Sequence, residues 1–183
     1  MKSKDSIARN ILVLSGILFA QNNWTYKSLG DMLSLSASRV HDAVKELVKS
    51  NLIVKTQDNI FKPIKKNCFE FFVYGIPYIF PLKIGGEVRG IPAFISAKPV
   101  SDKIVGNRIY VWPYSEGNTF GLSIEPIHKN VPKVAMVSDN LYMFFVILDC
   151  LRSNKRREKD IAKKELQKIL NLQIIDENKH NNP

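Results

Sequence analysis

The chain has 183 residues, 45% of them hydrophobic, and carries a net charge of +10 with a pI near 9.6. That apolar fraction supports a packed core and excludes wholesale disorder, and the length suits one domain or one small domain with an extension. The positive balance points to a polyanionic partner, either nucleic acid or an acidic membrane surface, and away from a basic one.

The charge is concentrated at the start. Residues 1–66 hold 11 Lys/Arg against 5 Asp/Glu, a balance of +6, while 67–137 and 138–183 each carry +2. Cys68 and Cys150 stand alone in apolar runs without a CxxC partner. They read as buried, reduced thiols rather than as a disulfide framework or a zinc site, and no metal or cofactor is expected. Lys2, Lys4 and Arg9 before the apolar run 11–20 mimic an export leader. The run is too short to cross a bilayer, and Asp5, Ser15 and Gly16 break the pattern. No membrane association is expected, and the expected location is cytoplasmic.

A first helix is predicted over 6–21, with Ile7, Ile11, Leu14 and Leu18 on a broad apolar face. Asn22 and Asn23 end it. Thr25 is placed to cap a second helix over 26–33, with Trp24 and Leu29 spaced as a hydrophobic staple. Gly30 at mid-helix costs roughly 1 kcal/mol relative to alanine, so a close crossing is expected there. Ser34 and Leu35 form a turn, and Ser36 caps a third helix over 37–50. In that helix Val40, Val44, Leu47 and Val48 point inward. Residues 52–55 and 60–62 then read as two strands joined by a turn at Gln57, Asp58 and Asn59.

The run SLGDMLSLSASRVHDAVKELVKSNLIVK (residues 28–55) resembles the winged helix-turn-helix of bacterial regulators in the MarR, ArsR and GntR-like superfamily. The matching positions are Leu29, Gly30, Leu33, Ser34, Leu35, Ser36, Ala37, Ser38, Val40 and Leu47. Gly30 stands where that family has alanine and Ser34 where it has a turn glycine, which strains Ser34 if it is left-handed. The resemblance covers about a third of the chain. It implies double-stranded DNA binding with the third helix in the major groove.

Candidate contacts follow from position and chemistry. Ser36, Ser38, Arg39, His41 and Asp42 lie in the first turns of the third helix, and Arg39 has the fork that suits guanine. Lys45 and Lys49 lie further along, at phosphate. Thr25, Tyr26 and Lys27 open the second helix, whose amide groups suit a phosphate. Lys55, Gln57, Asn59 and Lys62 occupy the hairpin.

Residues 67–137 hold seven of the nine prolines and many aromatics, so short strands near 91–97 and 108–112 and one short helix near 67–74 are expected. Two helices close the chain, over 139–151 and 155–170, and a disordered tail is expected over 174–183. Arg89, between Gly86 and Gly90, is a candidate ligand or partner contact or a loop-holding arginine. Arg156 and Arg157 belong to a basic cluster with Arg152 and Lys155 at the start of the last helix, where positive charge opposes the dipole; they are candidate contacts for a phosphate ligand or an acidic partner, or else a solvated surface cluster. A second resemblance links residues 67–170 to small bacterial winged-helix proteins of unassigned role. It rests on Gly75, Ile76, Pro77, Tyr78, Phe80 and Pro81, then Arg89 to Pro92, Val111 to Pro113, Leu141 and Tyr142, and Arg156 to Glu158.

The expected fold class is α+β and mainly helical: a winged helix-turn-helix of three helices plus a β-hairpin wing (1–66), then a Pro/Gly-rich irregular module with short strands and two C-terminal helices (67–173). Without a catalytic motif, the chain is not expected to be an enzyme. The expected function is that of a sequence-specific transcriptional regulator, a repressor by family habit, acting as a homodimer. A protein-docking adaptor, with residues 67–170 offering a partner surface, and structured-RNA binding are the alternatives.

Overall fold

The Ser3 hydroxyl accepts a hydrogen bond from the Ser6 amide at 3.2 Å and opens α1 (Lys4–Phe19). This cap starts the helix two residues earlier than its apolar spacing predicts. The computed structural model describes residues 3–20, 24–104 and 106–172. It is an α+β molecule in which helices predominate.

In α1, Ala8 and every residue from Ile11 to Ile17 are buried. A helix covered on all sides is a central strut rather than a surface element. It packs against α2 (Tyr26–Leu33), α3 (Ala37–Lys49) and α7 (Asp139–Arg152). Both shorter helices sit within a residue of their expected bounds. The Thr25 hydroxyl accepts from the Ser28 amide at 3.0 Å, and the Ser28 hydroxyl accepts from the Thr25 amide at 2.9 Å, closing a capping box. Ser36 caps α3 by accepting from the Arg39 amide at 3.4 Å.

The turn between them is tight. Ser34 is left-handed, with φ 54° and ψ 44°. A Cβ on Gly30 would stand 2.5 Å from the Leu35 carbonyl oxygen. The close approach predicted at Gly30 therefore exists, made by the turn backbone. An antiparallel hairpin follows, β1 (Ile53–Lys55) with β2 (Phe61–Pro63), in the register Val54 to Lys62.

The second half departs further from expectation. The predicted short helix at 67–74 is part of a longer helical run. It comprises α4 (Lys65–Glu70), a π-helical turn (Phe71–Gly75) and α5 (Ile76–Ile79). Pro77 is tolerated because the turn before it is already widened: the Ile76 amide donates five residues back, to the Phe71 carbonyl.

The predicted strand at 91–97 is displaced. β3 runs over Ile84–Pro92, and Phe94–Ser96 is a 3-10 turn. β4 (Tyr110–Pro113) overlaps the second predicted strand, and β5 (Thr119–Ile124) was not anticipated. The three close on one another: β3 is antiparallel to both β4 and β5, and β4 runs parallel to β5. Gly90 lies at the crossing, where a Cβ would stand 2.0 Å from the Trp112 carbonyl oxygen.

α6 (Val131–Ala135), α7 and α8 (Arg156–Ile169) complete the chain. Ten residues of α7 are buried, in keeping with its nearly encircling apolar residues. Phe144 of α7 meets Phe19 of α1 and Phe72 of the π turn edge-on at 5.8 and 5.2 Å, so one core runs through both halves. Cys68 and Cys150 are buried in it and unpaired, and burial pushes the Cys68 thiol up to about 12. No described helix is long and apolar enough to cross a membrane. The tail expected over 174–183 lies outside the described residues.

Candidate nucleic-acid interface

Helical spacing places Ser38, Asp42, Lys45 and Lys49 along one stripe of α3. All four are exposed, as are Ser36 and Arg39, while Val40, Ala43, Val44 and Leu47 hold the opposite side in the core. The Ser36 hydroxyl is committed to its cap, so its free contribution to a ligand is small. Lys49 pairs with Glu46 at 3.4 Å on the surface. Arg39 forms no ion pair among the described residues.

His41 is half-buried on the same helix. Its ring meets Tyr26 edge-on at 5.1 Å, and its Nδ1 lies 3.8 Å from Asp42 Oδ1. Tyr26 touches Trp24 at 5.9 Å, and Trp24 in turn lies 6.0 Å from Phe61 of the hairpin. These four rings join α3, the start of α2 and the hairpin into a continuous seam. Lys55 lies over the Phe61 ring at 5.9 Å. Thr25 and Lys27 at one end, and Gln57, Asn59 and Lys62 at the other, are exposed around this seam. Asn59 adopts φ 60° and turns the hairpin. The candidate DNA contacts therefore lie on α3, at the start of α2 and in the hairpin, three parts that the ring seam links.

Comparison with family models, curated proteins and solved structures found no match.

The remaining candidates lie elsewhere. The Arg89 guanidinium donates to the Gly117 carbonyl at 3.3 Å and stacks over Phe120 at 4.8 Å. Residue 89 thus lies on a strand rather than in a loop, and its side chain is tied to the neighbouring turn by one carbonyl. Arg156 approaches Asp160 at 3.7 Å, and Arg157 donates to the Lys103 carbonyl at 3.3 Å.

Arg152 leaves the basic cluster altogether. Its guanidinium is buried and bonds to Asp149 Oδ1 at 2.6 Å, the Phe80 carbonyl at 2.7 Å and the Glu125 carbonyl at 3.0 Å. The Trp112 indole donates to the other Asp149 oxygen at 2.7 Å. Burial pushes the Asp149 carboxyl up to about 6 against the pull of Arg152 and Trp112. The i, i+3 spacing of Asp149 and Arg152 on an otherwise apolar helix was the available signal for this pair.

A second contact was not readable in advance. The Asn130 amide donates to the carbonyls of Leu33 and Ser34 at 3.0 and 2.8 Å. It closes the C-terminal end of α2 from nearly a hundred residues away. His128 Nδ1 accepts from the Asn130 amide N–H at 3.1 Å. Burial, together with Arg39, Lys129 and Arg9 and against the opposing pull of Asp5, holds His128 down to about 4.

Proposed function

We propose that residues 1–66 form a winged helix-turn-helix and that the chain is a sequence-specific double-stranded DNA-binding protein. In this reading it acts in transcription, as a repressor, and binds rather than catalyses. The observation that carries it is the exposed stripe of α3 beside the first turn of α2 and a hairpin that bears lysines. The four-ring seam holds these parts together. A helix presented this way fits the major groove, with Ser38, Arg39 and Asp42 nearest the base edges. Lys45, Lys49, Lys55 and Lys62 then face phosphate, and the positive end of α2 adds a further anion site. The concentration of charge in residues 1–66 supports the same polarity.

A homodimer on a palindromic operator and a cytoplasmic location accompany this reading. Fluorescence anisotropy tests it, using a labelled duplex from the upstream region of the chain's own gene and a scrambled duplex across a salt series. Salt-sensitive binding that prefers the upstream duplex is expected. Binding to neither duplex at moderate salt would overturn the proposal and turn attention to a docking role.

A further inference from the structure

The segment from His128 to Ala135 belongs to the C-terminal half in sequence and to the α2–α3 turn in space. Two orphan carbonyls end α2, and Asn130 satisfies both with one amide group. The loop before it is fixed in turn. The Asn130 N–H donates to His128 Nδ1, and the Val131 N–H donates to the His128 carbonyl at 2.9 Å. Val131, Pro132, Val134 and Ala135 are buried, and α6 packs against α7. One side of this short element is therefore anchored to the core and its start is bonded to the turn.

Lys129 lies in the loop just before this helix and Lys133 within it. They are four residues apart and both are exposed, and neither forms an ion pair among the described residues. Lys129 is the chain neighbour of Asn130, whose amide is bonded to the Leu33 and Ser34 carbonyls, so it lies beside the turn that leads into α3. Lysines set on a rigid support beside a groove-reading helix need little ordering to meet a phosphate.

We infer that Lys129 and Lys133 carry the DNA interface beyond the winged helix, contacting backbone phosphates that flank the groove occupied by α3. This rests on the DNA-binding reading above. The C-terminal half then acts as part of the DNA-binding surface, and Asn130 is the residue that positions it.

The test is the salt dependence of binding by the double variant Lys129→Gln/Lys133→Gln, measured with the upstream and scrambled duplexes. Both side chains are exposed, so the thermal midpoint should match wild type. Each phosphate contact contributes about 0.9 to the slope of log K against log salt. The double variant should lower that slope by about 1.8, so that its loss of affinity between about 50 and 200 mM salt is roughly tenfold smaller than wild type's. The preference for the upstream duplex should be unchanged. A wild-type slope in the double variant, with Lys49→Ala still flattening it, would leave the DNA reading standing and overturn this extension. Loss of preference at constant slope would also overturn it, because that is the signature of base reading. Wild-type protein that binds neither duplex removes both.

Discussion

Arg39 and Lys49 occupy the same helix but are expected to fail differently. Arg39 lies in the first turn of α3 and has a planar fork suited to guanine. Arg39→Ala should cost roughly 1–3 kcal/mol at one base pair and little elsewhere, seen as lost discrimination in anisotropy across single-base variants of the duplex. Equal losses on every duplex would remove its base-reading role. Lys49→Ala should weaken all duplexes alike and flatten the salt slope. His128 makes a prediction about acid. Its folded value of about 4 lies below the ordinary 6.5, so the unfolded chain takes up the proton first. The stabilisation is complete above pH 6.5 and is lost as pH falls through that value toward 4, on the order of 3 kcal/mol in all. Asp149, raised by burial, contributes with the opposite sign over an overlapping range, so the comparison must be made against a variant. Urea midpoints of wild type and His128→Asn should converge on acidification. A constant gap from pH 7 to pH 4 would sink the assignment.

At the scale of elements, the turn between α2 and α3 is where glycine and serine have exchanged their ordinary places. Gly30→Ala would gain helix propensity, yet its Cβ would stand 2.5 Å from the Leu35 oxygen, so a net loss is expected. Ser34→Gly should be stabilising by about 1 kcal/mol, because it relieves a left-handed side chain, less the entropy glycine adds to the unfolded state. Chemical denaturation of the two variants reads both signs. These two helices were legible in the sequence because their signals are local: Thr25 and Ser36 cap, and Leu29, Leu33, Val40, Val44 and Leu47 repeat at helical spacing. The hairpin was legible for the same reason. The barrel was not. β3 starts at Ile84 and passes through Gly85 and Gly86, where glycine gives no strand signal, and it pairs with partners about twenty to forty residues away. The helical run through Pro77 was missed because a π turn is invisible to a 3.6-residue period. In the candidate site, the exposed stripe was readable from spacing, whereas the four-ring seam and Asn130 depend on approaches that only the fold creates.

At the scale of the molecule, the core does not stop where the composition changes near residue 66. Phe19, Phe72 and Phe144 bridge the halves, and Asn130 ties them again at the surface. Unfolding in urea should therefore be a single transition, with Trp24 fluorescence in a Trp112→Phe background coinciding with far-ultraviolet circular dichroism. Two separated transitions would show that the halves fold independently. The closed arrangement of β3, β4 and β5 bears on assembly. The two partners of β3 lie along different residues: β5 pairs with it from Ile84 to Gly90 and β4 only from Gly90 to Pro92, so among the described residues the stretch from Ile84 to Val88 is bonded to a strand on one side alone. A second copy that lengthened the sheet would have to add along that one short stretch, where the irregular register between Ile84 and Glu87 and the charge of Glu87 work against a long fibrillar ladder.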